Sequence, residues 1–300
     1  MSSVSPFEAY LAPARARPGL WRVILGIPLT LAIWVGGLIL LVLGIAIGRL
    51  LLGGRASVEG VSELAQGGSP EGVTFILASF YGIWIGLALT LWLCHRQRFW
   101  TLISPEGRTD GMEVLGGFAI AIGYTAATLI PALLIEGPPE RSDLALGTWA
   151  LWLLAFLPLV WIQAGGEEIF FRGYLLQQIA IRLRHPFFWA VLPSAFFGFL
   201  HYNPSLPGAG GLYYVLATCM IGLSAAVLTW RTGGLSAAIG LHVGINIFGI
   251  SIVGAEGLVS GSQLFLYRGA VSSELLAIDT AANVLLLAWL LSPYAPFRRR

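Results

Sequence analysis

Residues 149–173 read WALWLLAFLPLVWIQAGGEEIFFRG. From Trp149 to Gly166 no side chain carries a charge, and the run is long enough to cross the roughly 30 Å hydrocarbon core of a bilayer at about 1.5 Å per residue. Then Glu167, Glu168 and Arg172 fall within six positions of one another. The whole chain is of the same kind as the run. Of its 300 residues 57% are hydrophobic and only 11% charged, against roughly half and a quarter in a soluble domain. Mean hydropathy is +0.80. Composition alone therefore makes this a membrane protein, and the formal net charge of +2 is no nucleic-acid signature.

Apolar runs recur at 22–48, 74–94, 114–135, 148–166, 186–201, 211–230, 235–254 and 275–292. Their lengths predict an all-α, polytopic bundle of about eight spans, the segment 186–201 being short for a span. All 17 basic residues are arginine. Eight spans with the N-terminus inside place twelve arginines on one side and four on the other (Arg49, Arg55, Arg141 and Arg268), with Arg172 in the membrane region. By the positive-inside rule both termini face the cytoplasm. One bundle over 21–293 is expected, its motif-bearing core at about 148–255. It is flanked by a loosely ordered tail over 1–20 and a basic tail over 294–300. The segment 53–72 reads as an external connection with room for a short surface helix, and 136–143 as a turn-rich external loop.

The first apolar run is too long for a signal-peptide core and reads as a retained span. Trp21, Trp100, Trp149, Trp189, Trp230 and Trp289 fall near span ends, as an aromatic belt would place them. The pairs Gly82/Gly86 and Gly240/Gly244 read as close helix contacts. Cys94 and Cys219 have no metal-site or redox spacing.

An ionisable residue at mid-membrane costs about 2.5–3.5 kcal/mol on translocon scales, so Glu167, Glu168 and Arg172 need a reason. Glu168 and Arg172 are four apart on one helix face, with the glutamate N-terminal, and can neutralise each other. Glu167 points about 100° away and has no such partner nearby in sequence. Further polar residues follow in later spans: His201 at the end of FFGFLH (196–201), and His242 with Asn246, four apart, in HVGIN (242–246). Either histidine alone would read as a satisfied core residue. His95 and His185, beside arginines at span ends, read as interface residues. Counted from Arg182, Pro186 and Arg231 respectively, Glu167 and His201 lie about 22 Å deep and His242 about 16 Å, provided 165–182 continues the fourth helix. Convergence of Glu167, His201, His242 and Asn246 at one level makes an intramembrane functional site the default reading.

A glutamate beside a histidine can hold and activate a water molecule. A second histidine with an asparagine amide can donate to a developing oxyanion. Together they suit hydrolysis of an acyl bond. No serine or cysteine stands in an elbow-like setting, which argues against covalent catalysis. Glu167, His201 and His242 could equally ligate Zn2+ with water in the open position, although the HExxH spacing is absent. A proton-coupled transporter using the same groups as a relay is the competing class. The lack of a second polar cluster in the first half disfavours it. A non-catalytic scaffold or self-immunity factor is a third.

EEIFFRG (167–173), FFGFLH and HVGIN, in that order on successive helices, resemble the EExxxR, FxxxH and HxxxN boxes of the CAAX prenyl protease and bacteriocin-processing (CPBP, or Abi) family of intramembrane proteases. The resemblance covers about 160–255. It implies an eight-span helical bundle with a cavity open toward the cytoplasmic leaflet. It also implies Glu167 as general base with His201 as its partner on the water, and His242 and Asn246 as oxyanion stabilisers. Glu168 and Arg172 become supports, Arg172 steering a substrate carboxylate. The implied partners are a membrane-associated peptide or protein substrate and the bilayer itself. The family is commonly labelled metalloprotease, and a metal-free glutamate mechanism has also been argued for it. The all-arginine, Ala/Gly-rich chain suggests a bacterial cytoplasmic membrane.

Overall fold

A computed structural model of the protein describes residues 4–52, 58–256, 258–269 and 271–297, so Arg55 and Arg298, Arg299 and Arg300 of the basic tail lie outside the described residues. Each of the eight apolar runs is helical over most of its length, the run 235–254 ending in a short strand. Six helices are long and apolar enough to cross a membrane: α2 (Leu20–Leu51), α4 (Pro70–His95), α5 (Gly111–Ile135), α6 (Leu146–Ala180), α8 (Gly210–Thr232) and α10 (Ser273–Leu291). Two more, α7 (Phe187–Phe199) and α9 (Ser236–Ile252), are apolar but shorter. The helix carrying Glu167 continues unbroken from Leu146 to Ala180, as the depth estimates required.

Hydrogen bonds between connections sort the bundle into two ends. At one end Arg182 donates to the Pro18 carbonyl (2.6 Å), Leu235 N–H to Ile103 (2.8 Å), Asp110 N–H to the Ser236 hydroxyl (2.9 Å) and Arg231 to Ser292 (2.6 Å). At the other, Gly261 N–H donates to Gly67 (2.9 Å), the Trp149 indole to Ser251 (2.7 Å) and Ser272 N–H to Glu136 (3.0 Å). The first end gathers the segments rich in arginine, including both described termini. We call it the arginine-rich end.

The described part of the N-terminal tail, expected to be loose, carries a helix. α1 (Pro6–Arg15) begins where the Ser5 hydroxyl accepts from Glu8 N–H, with Pro6 preset for the first turn. Phe7, Tyr10, Leu11 and Ala14, at helical spacing, form one buried face. Tyr10 is fully buried, and its hydroxyl donates to the Leu102 carbonyl (2.6 Å) and the Arg172 carbonyl (3.2 Å). Phe7 packs on Trp189, ring centroids 4.9 Å apart. Trp189 is therefore a core residue and not part of an aromatic belt, unlike the exposed Trp21 and Trp100.

At the opposite end, α3 (Val58–Gln66) fills part of the expected external connection. Three short strands join there: β1 (Glu140–Arg141) pairs antiparallel with β3 (Phe265–Tyr267), which pairs parallel with β2 (Val253–Ala255). This small sheet corrects the expectation of purely helical structure joined by loops. Its strands of two and three residues are too short for any period to show. The glycine pairs act as expected. A Cβ on Gly82 or Gly86 would collide with the backbone of α2 at Trp34 and Thr30, and one on Gly240 with the Val114 carbonyl of α5.

Candidate active site

The glycines of GGEEIFFRG let another helix press against α6. Cβ atoms on Gly165 and Gly166 would stand 3.0 and 3.1 Å from the Trp84 indole, whose N–H donates to the Ile162 carbonyl at 2.8 Å. Immediately after Glu168 the helix widens to π geometry over Ile169–Leu175. Such wide turns inside α-helices are frequent at functional sites. All nine residues of the stretch are buried.

Glu168 is the most enclosed of the charged groups, 1% exposed against 2% for Arg172 and 8% for Glu167. Its Oε1 accepts from Arg172 Nη1 at 3.0 Å, the expected pair. The same oxygen accepts from His242 Nδ1–H at 2.8 Å. Glu168 and Arg172 are thus not a closed pair: the carboxylate also fixes the tautomer and direction of a histidine 74 residues later. With Nδ1 protonated and donating, the other ring nitrogen turns toward Glu167, and His242 Nε2 lies 3.4 Å from Glu167 Oε2. The approach lacks hydrogen-bond alignment, and Glu167 Oε2 has no hydrogen-bond partner among protein atoms.

Phe197 holds the remaining parts in register. Its ring centroid is 4.7 Å from that of His201 and 5.9 Å from that of His242, and the Arg172 guanidinium lies 4.6 Å from it. Its carbonyl accepts from His201 Nδ1–H at 2.8 Å, which leaves His201 Nε2 as the free ring nitrogen. Asn246 Nδ2 donates to Gln163 Oε1 at 2.6 Å, leaving its second amide hydrogen uncommitted.

A cavity of about 790 Å³ meets this cluster, with Gln163, Glu167, His201, Tyr214 and Asn246 in its wall. Four expected site residues are therefore brought together, but in two layers. Glu167, His201 and Asn246 face the cavity. His242 is 6% exposed and does not line it, its ring standing behind Glu167. Arg172, 2% exposed and paired with Glu168, does not line it either. The rim residues Ala65, Gln66, Tyr202, Asn203, Leu258 and Val259 belong to the end opposite the arginine-rich one. A cavity open to the cytoplasmic leaflet and an arginine-rich cytoplasmic end, both expected from sequence, exclude each other in this fold.

Zinc is one of two options left open by the sequence. Among the described residues no three His, Cys, Asp or Glu side chains cluster as a ligand set. His201 and His242 each commit Nδ1 to an oxygen acceptor and keep Nε2 free, but Glu167 meets one histidine and not both. The trio Glu167, His201 and His242 is therefore not gathered as a zinc ligand set, and the residues' chemistry is derived without a metal. His95, read as an interface residue, is buried 3.0 Å from the Tyr174 hydroxyl, and the exposed His185 accepts at Nδ1 from Phe187 N–H at 3.2 Å. Sequence reading missed Gln163 and Tyr214. Gln163 lies one turn before Glu167 on the same face, so its position was a usable signal. Tyr214 has none, because only helix packing brings it to the cavity.

Glu168→Gln should destabilise the protein by about 3–5 kcal/mol, because it strands Arg172 as an uncompensated buried charge. Glu167→Gln should stay within about 1 kcal/mol of wild type, since Oε2 gives up no hydrogen bond. Thermal unfolding in detergent micelles measures both, and equal losses would contradict the assignment of separate jobs.

Residues 148–248 match the family model described as type II CAAX prenyl endopeptidase Rce1-like. Glu167, His201, His242 and Asn246 all lie within the match. The uncharacterized protein YyaK of Bacillus subtilis (strain 168) is 27% identical over 169 residues, which cover 56% of this chain and 55% of that relative. The chain thus spans about half the length of the curated relative it matches. No solved structure matches significantly. Residues 148–248, the four helical segments that build the polar cluster, are thus the part of the chain that is similar to the Rce1-like CAAX prenyl endopeptidases.

Proposed function

We propose that this protein is an intramembrane endopeptidase that hydrolyses a peptide bond of a membrane-associated substrate with water activated by Glu167. The observation that carries the reading is the layered carboxylate pair: Glu168, neutralised by Arg172, orients His242 against Glu167, while Glu167 faces the cavity. Water donates one O–H to the Glu167 carboxylate and the other to His201 Nε2, both acceptors on one cavity wall. Its lone pair attacks the peptide carbonyl, and its proton passes to Glu167. The oxyanion accepts from the uncommitted Asn246 amide hydrogen. Collapse breaks the C–N bond, and Glu167 returns the proton to the leaving amine. His242 Nε2, an acceptor when Nδ1 carries the proton, faces Glu167 and suits the step in which Glu167 is protonated.

The substrate approaches through the cavity rim. With nine of the described arginines at the arginine-rich end and three at the other, that end is cytoplasmic and the rim faces outward. Both termini are then cytoplasmic and all eight helical segments traverse the bundle. The Bacillus relative supports a bacterial cytoplasmic membrane as the site of action.

Membrane proteomics of cells with wild-type protein and Glu167→Gln identifies the substrate as a protein that stays uncut in the variant. With that substrate, purified Glu167→Gln and His201→Ala should lose at least about 10²-fold in kcat/KM, and Asn246→Ala about 10²–10³-fold. Full cleavage by folded Glu167→Gln would remove the reading. In intact cells a membrane-impermeant maleimide should label Tyr202→Cys, and should label Arg17→Cys only after lysis. The reverse pattern would invert the orientation.

A further inference from the structure

Two cross-helix hydrogen bonds join α6 to α9 beside the cavity. Glu168 Oε1 accepts from His242 Nδ1–H at 2.8 Å, and Gln163 Oε1 accepts from Asn246 Nδ2 at 2.6 Å. Their partners lie in opposite order along the two helices, Gln163 before Glu168 on α6 and His242 before Asn246 on α9. The bonds therefore clamp two antiparallel helices at levels about 6–8 Å apart. The first sets the direction of His242, and the second bears on Asn246.

In the proposed hydrolysis the oxyanion falls to Asn246. His242 spends Nδ1–H on Glu168 and turns its acceptor Nε2 toward Glu167, so it has no proton left for a developing oxyanion. Among the described residues the Asn246 side chain makes a single hydrogen bond, the one to Gln163. The last torsion of a carboxamide side chain is broad, so that bond is what fixes the way the amide faces. With one hydrogen held by Gln163, the direction of the other is set. Gln163 is 7% exposed in a spanning helix, where an amide is costly to bury, and this is also its one side-chain hydrogen bond among the described residues.

We propose that Gln163 is a positioning residue of the reaction: it holds the Asn246 carboxamide so that the free N–H meets the oxyanion as its charge develops. The inference rests on the proteolytic reading and deepens it. Gln163 and Glu167 are four apart on one face of α6, and both line the cavity. One helix face thus supplies the general base and, through Asn246, aims the oxyanion donor. A reacting group misplaced by about 1 Å costs about 10²-fold in rate, so the aim of that amide matters to catalysis. A bond that only glued α6 to α9 would add modestly to stability, as interhelical hydrogen bonds in membranes do, and would leave kcat alone.

The test has a structural and a kinetic arm, both on the full chain in detergent micelles. The only asparagines are Asn203, Asn246 and Asn283, so labelling asparagine with heavy nitrogen gives three side-chain amide signals in magnetic resonance, and Asn246→Ala identifies the relevant one. In wild type one of its two hydrogens should exchange slowly. Gln163→Met, of similar shape but without the acceptor, should abolish that protection. With the substrate found by proteomics, Gln163→Met should lower kcat about 10–10²-fold and leave KM within about twofold, because the oxyanion exists only in the transition state. The double variant with Asn246→Ala should be no slower than Asn246→Ala alone, within about a factor of two. Thermal unfolding checks that each variant is folded, and Gln163→Leu replaces Gln163→Met if that one is not. An unprotected Asn246 amide in wild type, a wild-type kcat in the folded Gln163 variant, or losses that multiply in the double variant would overturn the assignment. If the amide is protected but wild type cleaves no substrate, the proteolytic reading has failed and the positioning role falls with it.

Discussion

One carboxylate oxygen organises this site. Glu168 Oε1 accepts from the Arg172 guanidinium and from His242 Nδ1–H at once. In a region with almost no water, an unpaired glutamate would be prohibitively costly, and the i,i+4 arginine makes its charge tolerable. The histidine bond then converts that tolerated charge into orientation: it joins α6 to α9 and turns His242 Nε2 toward Glu167. Buried ion pairs often contribute little net stability against a well-packed apolar alternative. The value of this one lies in where it holds a ring nitrogen.

Around that bond the fold supplies enclosure. Phe197 separates the two histidine rings while its carbonyl holds His201 by the near nitrogen. The Gly165–Gly166 step lets the Trp84 indole close on α6, and α1 covers the arginine-rich end, with the Tyr10 hydroxyl reaching the Arg172 carbonyl itself. The polar cluster is thus braced from the α1 side and open to the cavity on the other. A general base needs that asymmetry, rigid behind and accessible in front.

Much of this was legible in the chain. The apolar runs marked the helical segments, six of them long and apolar enough to cross a membrane, because spanning helices must satisfy their backbone internally and so declare themselves by length and hydropathy. Three short boxes located Glu167, His201, His242 and Asn246. What stayed hidden depended on packing between distant segments. Glu168 looked complete with Arg172 because its second partner is 74 residues away. His242 looked equivalent to Asn246, four residues on, yet helix packing leaves one behind Glu167 and the other on the cavity. Alanines and prolines made 1–20 look loose, although Phe7, Tyr10, Leu11 and Ala14 already carried a helical stripe. Which end of the bundle the cavity meets was not legible, because it depends on which loops form the rim, and no helix-depth count can show that.

The central claim is that Glu167 delivers water directly to a peptide carbonyl, with no enzyme-bound acyl group between. The most direct measurement is a single-turnover cleavage of an identified substrate in heavy-oxygen water containing hydroxylamine, with the products read by mass spectrometry. Direct attack by water predicts a new free carboxyl carrying one heavy oxygen atom and no hydroxamate. A hydroxamate product would reveal a covalent acyl intermediate and contradict the account.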